Sequence, residues 1–267
     1  RREVLRRAGL AGAGAALWAA GAGTLAGCAQ PSAGPAKVSL QLSWIKNVEF
    51  VGYYAAETKG YYKEEKLEVD IAGGGPGVAA GQLVDARQKD VGVQLAAIDL
   101  IKANAQGAKL VTFATLFQSS PAGLMYVIKR PDGKPGTIID SPQAAKGKRI
   151  GLQPGAMLAW RVICKKAGLD MDKDMQIVQV GFDPAPLKDG TIDGYWCFAT
   201  NQPGILRAQG YEVGILDAFK AGYTPYGGFL TCHADYLKDN KDILVRFLRA
   251  TIKGWVYANS HLEEMTK

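Results

Sequence analysis

The segment "LSWIKNVEFVGYYAAETKGYYKEE", residues 42–65, holds five aromatic rings within its stretch of thirteen residues from 50 to 62. Aromatic residues make up only 9% of the whole chain, so the segment is several times richer in rings than the rest. One face of an amphipathic helix buries about two such rings in a core. The remaining rings, together with Trp44 just upstream, are therefore candidates for contact with something other than the core.

The pattern around this segment predicts an α/β fold. Short, nearly fully apolar runs such as "KVSLQLSW", "LEVDIAG" and "DVGVQL" alternate with helical patterns along the chain. This alternation indicates βαβ units and mostly parallel sheets covered by helices on both faces. We expect residues 37–125 and 218–267 to form a first lobe and residues 126–217 a second, with "KRPDGKPG", residues 129–136, as a crossover between them.

The N-terminal segment has the features of an export signal. Residues 1–27 open with the twin arginine of "RREVLRRAGL", continue as an uncharged Gly/Ala-rich run and end at "LAGC". This order is typical of a Tat-type lipoprotein signal in which Cys28 is lipidated. A membrane-spanning helix is the alternative, but the run is short and weakly hydrophobic for a span. Residues 28–36, rich in Pro, Gly and Ser, are expected to be a flexible tether.

Composition argues against several other classes of protein. The net charge is +7, yet four of the arginines lie in the first seven residues and the other basic residues are scattered among acids. We therefore expect no nucleic-acid partner. The cysteines after Cys28 are Cys164, Cys197 and Cys232, without CxxC spacing, and the chain has only two histidines. We expect no metal, no cofactor and buried thiols, while the spacing leaves a disulfide open.

The first strand end predicts a ligand-binding edge. Ligands of parallel α/β sheets collect beyond the carboxyl ends of strands, near the following helix N-termini. Trp44 lies at such an end, and Asn47, which we expect to cap the next helix, and Glu49 follow it. If Val48, Val51 and Ala55 form the buried stripe, Phe50 and Tyr53 point towards a cleft with Trp44.

These residues resemble a known family. "LQLSWIKNVEFVGYYAAETKGYYKEEKLEVDIAGGGPG" is similar to the opening of the SsuA/THI5-like (NMT1) solute-binding proteins of ABC importers, and "DVGVQLA", "KGKRIGL", "DGYWCFATNQPGIL" and "CHADYLKDNKDILVRFLRATIKGWVYA" match later blocks in order. The resemblance covers residues 37–267. It implies a type II periplasmic-binding-protein fold: two α/β lobes with a ligand cleft between them.

An enzyme of the same family is the competing interpretation. Its eukaryotic branch makes the thiamine pyrimidine from its own histidine and a lysine-bound pyridoxal phosphate. In "DVGVQLAAI" the lysine position holds Gln94 and the histidine position holds Ile98. Glutamine forms no Schiff base and isoleucine offers no imidazole, so we expect no enzymatic activity and no catalytic residue.

The kind of ligand is predicted from the aromatic side chains and the amide groups among the candidate site residues. Stacking suits Trp44, Tyr53, Trp196 and Tyr226, whereas the "LQPGAM" turn with Gly155 and Ala156 offers backbone amides that suit an anion. Further candidates at strand ends and in loops are Gln94, Ser119, Ser120, Asp183, Thr200 and Asn201. Rings with polar amides favour a heteroaromatic solute similar to a thiamine pyrimidine precursor. Riboflavin and sulfonate- or nitrate-type solutes remain alternatives.

The resemblance also implies partners and a location. We expect an exported monomer, lipid-anchored to the outer face of the cell membrane, which delivers a small solute to ABC permease subunits with a cytoplasmic ATPase. A sensor that binds solute without transport remains open.

Overall fold

Two five-stranded mixed sheets form the framework of the described chain. The computed structural model describes residues 34–75 and 77–265. The strands are β1 (Ala36–Gln41), β2 (Leu67–Ala72), β3 (Val91–Gln94), β4 (Leu110–Phe117), β5 (Ala122–Lys129), β6 (Arg149–Leu152), β7 (Gln176–Gln179), β8 (Gly194–Phe198), β9 (Glu212–Asp217) and β10 (Gly227–His233). The helices are α1 (Val51–Thr58), α2 (Tyr61–Glu64), α3 (Ala80–Asp85), α4 (Ala97–Ala105), α5 (Met157–Lys166), α6 (Ala185–Lys188), α7 (Gln202–Ala208), α8 (Ala234–Asp239), α9 (Lys241–Ser260) and α10 (Leu262–Met265).

Each sheet combines a parallel core with antiparallel additions. The first has the order β2-β1-β3-β10-β4, in which β1 is parallel to β2 and β3, and β10 is antiparallel to both of its neighbours. The second has the order β7-β6-β8-β5-β9, in which β6 is parallel to β7 and β8, and β5 is antiparallel to β8 and β9. The α/β architecture with two lobes that the sequence predicts is therefore confirmed.

The chain passes between the two sheets at two places, and neither of them lies in the predicted crossover at residues 129–136. It leaves the first sheet between β4 and β5 and returns between β9 and β10, and these two connections touch where the Ser120 amide donates to the Pro225 carbonyl at 3.2 Å. The "KRPDGKPG" run is instead a turn within the second lobe, closed by a bridge between Lys129 and Pro135. The prediction of a crossover there is wrong, because Pro and Gly mark any turn. Strand β5, which spans the boundary predicted between residues 125 and 126, pairs only with the second sheet.

Helix α1 is covered on two sides, which explains how the segment accommodates so many rings. Phe50 and Tyr53 pack against the first sheet, whereas Val51 and Ala55 pack against the C-terminal part of α9. The approach of α9 depends on glycine: a Cβ built on Gly52 would lie 2.2 Å from the ring of Trp255. Any larger residue would push the two helices apart.

The three cysteines in the described residues, Cys164, Cys197 and Cys232, are free and buried, which confirms the prediction of buried thiols. Burial raises the pKa of the Cys197 thiol to about 12, so the thiol stays protonated near neutral pH. None of the helices in residues 34–75 and 77–265 is long and apolar enough to cross a membrane. The predicted signal of residues 1–27 and the lipidation site Cys28 lie outside the described residues.

Candidate functional site: the cleft between the lobes

A cavity of about 820 Å³ lies at the carboxyl ends of the parallel strands of both sheets. The first lobe lines it with Trp44 after β1, Gln94 at the end of β3 and the start of α4. The second lobe lines it with the turn after β6 and with Trp196 on β8. Ligand pockets of roughly 300–1,000 Å³ are usual, and strand ends are where α/β folds place them. The cavity is therefore the candidate binding site.

Rings from the two lobes meet at one side of this cavity. The ring centroids of Trp44, from the first lobe, and Phe182, from the loop after β7, are 4.2 Å apart with an interplanar angle of 56°. Phe182 is 45% exposed, so the contact leaves part of its face open. A tilted pair of this kind can flank a planar solute or close the cleft over it.

The ring of Trp196 is fixed from behind. It is only 6% exposed and packs edge-on against the buried Trp160, with ring centroids 6.4 Å apart. Because the indole has little freedom to move, it loses little conformational entropy when a ligand packs on it. Trp196 thus offers a rigid apolar surface on the second lobe.

Two buried glutamines supply amides to the cavity, one from each lobe. Gln153 donates from Nε2 to the carbonyls of Gly181 and Trp196, at 3.2 and 3.1 Å. Gln94 donates from Nε2 to the Thr231 hydroxyl at 3.4 Å, while that hydroxyl donates to the Gly92 carbonyl at 3.1 Å. These networks hold both side chains in position.

Seven of the predicted site residues lie in the cavity wall. They are Trp44, Gln94, Ser120, Gly155, Ala156, Trp196 and Tyr226. Gln94 and Trp196 lie on β3 and β8, and the others follow β1 or β6 or lie in the connections between the lobes, as expected for the ligand-binding edge of such sheets. Their role as ligand contacts stays a prediction.

The predicted orientation of Phe50 and Tyr53 is wrong. Phe50 is 1% exposed and Tyr53 is fully buried, with its ring 6.1 Å from that of Trp255. The prediction assumed a single buried stripe, but Val51 packs against α9 while Phe50 and Tyr53 are buried in the core that the first sheet forms with α9. Val48, assigned to the buried stripe, is 47% exposed.

The other predicted residues lie outside the cavity wall and mostly have local roles. Asn47 accepts from the Glu49 amide at 2.9 Å, and so caps the short 3-10 helix Val48–Phe50 as predicted. Asp183 similarly accepts from the Ala185 amide at 2.9 Å. Ser119 and Thr200 are exposed to solvent, and Asn201 precedes α7 without a side-chain hydrogen bond to it. Their ligand contacts remain predictions that the cavity does not support.

Glu49 is the most unusual of these residues. It is 5% exposed, and its Oε1 atom has no hydrogen-bond partner in the described part of the chain. Burial raises the pKa of its carboxyl to about 7. The hydroxyl of Tyr53 is also buried without a partner. The segment therefore carries polar groups that the fold buries at a cost.

Sequence reasoning missed several residues of the cavity wall, namely Asp99, Gln153, Phe182, Phe198 and Tyr223. Phe182 had a usable signal, because an aromatic ring in the Gly/Pro-containing loop after a strand has no core position to fill. Asp99 had none, since an acidic residue in the first turn of a helix is common for electrostatic reasons alone. No group of three or more His, Cys, Asp or Glu side chains in the described ranges could hold a metal ion.

Relatives with known names match most of the chain. The riboflavin-binding protein RibY of Chloroflexus aurantiacus is 27% identical over 250 residues, covering 85% of this chain and 66% of the relative. The formylaminopyrimidine-binding protein of Halalkalibacterium halodurans is 23% identical, covering 83% and 67%. The 4-amino-5-hydroxymethyl-2-methylpyrimidine phosphate synthase THI13 of Saccharomyces cerevisiae is 28% identical, covering 83% and 66%. The chain thus spans about two thirds of the length of these relatives.

The fold also matches solved structures. The periplasmic aliphatic sulphonate binding protein SsuA from Escherichia coli superposes with a TM-score of 0.69 at 18% identity, covering 86% of this chain and 76% of that protein. The chain therefore has the periplasmic-binding-protein fold. The family model described as NMT1/THI5 like matches residues 47–265. With that match over most of its length, the chain belongs to the NMT1/THI5-like family.

Proposed function

We propose that this protein is the solute-binding component of an ABC importer and captures a small heteroaromatic solute, in the first place a pyrimidine of the thiamine-precursor type. The observation that carries the proposal is the contact between Trp44 and Phe182, from opposite lobes, beside a cavity also lined by Trp196. Flat apolar surfaces from both lobes suit a planar ring, and closing the lobes surrounds it.

The named relatives support this choice of solute. The printed names of two of them refer to riboflavin and to a formylaminopyrimidine, both of which contain a nitrogen heterocycle. Riboflavin is the second candidate, because a cavity of about 820 Å³ has room for a ligand larger than one pyrimidine ring. Sulfonates and nitrate rank below both, because those anions have no flat apolar ring to pack against the rings of the wall.

Binding rather than catalysis is the proposed role. The positions that match the lysine and histidine of the synthase branch hold Gln94 and Ile98, and both line the cavity. Neither side chain can perform the corresponding chemistry. We also propose that the protein works outside the cytoplasm, anchored through Cys28, and hands its solute to permease subunits. Replacing Cys28 with Ala should release the protein from the membrane fraction.

A thermal-shift screen tests the proposal. Purified protein is heated with 4-amino-5-hydroxymethyl-2-methylpyrimidine, a formylaminopyrimidine, riboflavin, taurine or nitrate, and the unfolding midpoint is compared with that of the ligand-free protein. Binding to the folded state alone raises the midpoint by mass action. We expect the largest rise with a pyrimidine. A rise with taurine or nitrate alone would overturn the heteroaromatic choice. If none of the compounds raises the unfolding midpoint, the proposal that the protein binds one of these solutes is wrong.

A further inference from the structure

One glutamine side chain links the two segments of the second lobe that carry rings into the cavity. Gln153 follows β6, the strand that lies between β7 and β8 in the second sheet. Its Nε2 atom donates to the Gly181 carbonyl at 3.2 Å and to the Trp196 carbonyl at 3.1 Å. Gly181 immediately precedes Phe182 in the loop after β7, and Trp196 lies on β8. A single nitrogen atom therefore bridges the backbone segments that carry both rings.

The register of the sheet explains why this side chain reaches both neighbours. Leu152, the last residue of β6, is aligned with Gln179 of β7, and the pairing of β6 with β8 ends at Gly151 and Tyr195. Beyond this point the side chain of Gln153 supplies to β8 the donor that a longer strand would supply from its backbone. The side chain is buried and donates on both sides, so its orientation is fixed.

The two hydrogen bonds act on the peptide groups next to the rings. The Gly181 carbonyl and the Phe182 amide belong to one planar peptide group, so fixing the carbonyl also fixes how the backbone enters Phe182. Gly181 has the wide conformational range of glycine, and a Cβ built on it would meet no atom within 4 Å. Without a tether, the loop would be ordered only on binding, at a cost in entropy.

Tyr195 holds the same carbonyl from the far side of the sheet. Its hydroxyl donates to the Gly181 carbonyl at 2.9 Å, so this oxygen accepts from two side chains. Neighbouring strand residues point to opposite faces, and Tyr195 is fully buried in a different core from Trp196. Burial raises the pKa of the Tyr195 phenol to about 12, so the hydroxyl keeps its proton near neutral pH. Because Tyr195 lies outside the cavity wall, it can influence a ligand only through its neighbours.

We infer that Gln153 and Tyr195 are positioning residues for the aromatic wall of the second lobe. They hold Phe182 and Trp196 in place before the solute arrives, so that the first lobe closes Trp44 onto a preformed surface. The inference rests on the proposed function and deepens it, because a surface ordered in advance binds a flat ring without the cost of ordering the loop.

Tyr195→Phe tests the inference, because it removes one hydroxyl that lies outside the cavity wall. The affinities of the full chain for 4-amino-5-hydroxymethyl-2-methylpyrimidine and for riboflavin are measured by isothermal titration. For each of these compounds that the wild-type protein binds, Tyr195→Phe should raise the dissociation constant at least threefold. An unchanged dissociation constant would overturn the role of Tyr195.

Tyr62→Phe is the matched control. Tyr62 is also buried, and its hydroxyl shares a hydrogen bond of 3.0 Å with the Thr251 hydroxyl in the first lobe, outside the cavity wall. Each variant loses one buried hydrogen bond, so both unfolding midpoints should fall by similar amounts. The dissociation constants of Tyr62→Phe should stay within twofold of wild type. An equal loss of affinity in both variants would contradict the inference, because reduced stability would then explain it.

A double-mutant cycle shows whether Tyr195 acts through Phe182. Phe182→Ala should raise the dissociation constant at least tenfold, because one ring of the wall is lost. In that background Tyr195→Phe should have no further effect beyond twofold, since no ring is left to position. If Tyr195→Phe weakens binding equally with and without the Phe182 ring, the inference is wrong.

Gln153→Met keeps the length of the side chain and removes its donor. It releases both the Gly181 and the Trp196 carbonyls, so the dissociation constant should rise at least tenfold, and more than in Tyr195→Phe. A value within twofold of wild type would overturn the role of Gln153 while the proposed function stands. If the wild-type protein binds neither compound, the proposed function is wrong and the inference with it.

Discussion

The ring-rich segment 42–65 and the loop after β7, which holds one ring, differ in how many of their rings reach the cavity. Residues 42–65 hold a dense cluster of rings, yet only Trp44 among those aromatics lines the cavity, while Phe50 and Tyr53 are buried in the first lobe. The loop after β7 holds a single ring, Phe182, and that ring meets Trp44 across the cleft. Ring density thus reflects the packing of α1 between the sheet and α9, whereas position after a strand end determines access to the ligand.

The largest effect expected from this comparison is at Tyr53. Tyr53→Ala removes a fully buried ring and should cost about 4 kcal/mol of unfolding free energy, measured by urea denaturation. The folded variant should keep its ligand affinity. The matched variant Tyr53→Phe removes only a hydroxyl that is buried without a partner, and should be about 1 kcal/mol more stable than wild type. If Tyr53→Phe lowered the ligand affinity without lowering the stability, the Tyr53 hydroxyl would be a ligand contact after all.

The next largest effect concerns pH and Glu49. Burial raises the pKa of this carboxyl from its ordinary 4.5 to about 7 in the folded protein, so the folded state holds a proton that the unfolded state releases between these values. The unfolding free energy should therefore fall by about 3 kcal/mol as pH rises through this window. Glu49→Gln should remove this contribution, as seen in urea denaturation from pH 4 to 8.

Glu57→Gln is the matched control for that pH series, because Glu57 is exposed on the same segment. It should leave the pH profile as in wild type, so that the background change with pH cancels in the comparison. If Glu49→Gln and wild type show the same profile, the buried carboxyl does not control stability in this window.

Trp44→Ala should have a smaller effect, and on binding instead of folding. Loss of one stacking surface should cost about 2 kcal/mol of affinity, or roughly a thirtyfold rise in the dissociation constant, measured by isothermal titration. The partly exposed ring contributes less to the core than Tyr53 does, so the unfolding free energy should change less than for Tyr53→Ala. An unchanged dissociation constant would show that Trp44 does not contribute to ligand binding.

The smallest effect expected is the coupling between Trp44 and Phe182. A double-mutant cycle with alanine at both positions should give a coupling of about 1 kcal/mol in unfolding free energy, as for other aromatic pairs. The matched cycle with Phe219, which is similarly exposed at 43% but lies outside the cavity wall, should give none. Zero coupling for Trp44 and Phe182 would show that the two lobes do not hold their rings together in solution.

Sequence periodicity predicted where strands lie but not which sides of a helix are buried. The apolar runs "KVSLQLSW", "LEVDIAG" and "DVGVQL" correspond to strands β1, β2 and β3 of the structure, because short apolar runs are a local property of the sequence. Helix α1 failed as a guide to orientation, because a helix covered on two sides has two buried stripes and the pattern assumes one. Strand β5, which ends where the "KRPDGKPG" turn begins, was not among the predicted strands.

The sequence by itself determined the family, the α/β class and the strand ends where a ligand would bind, since these depend on motifs and on the local order of apolar segments. Only the tertiary structure decided which rings reach the cavity and which groups face each other across it. The rings of Trp44 and Phe182, which meet across the cleft, belong to residues more than 100 positions apart. Such contacts arise from the packing of two lobes, and no local pattern in the chain encodes them.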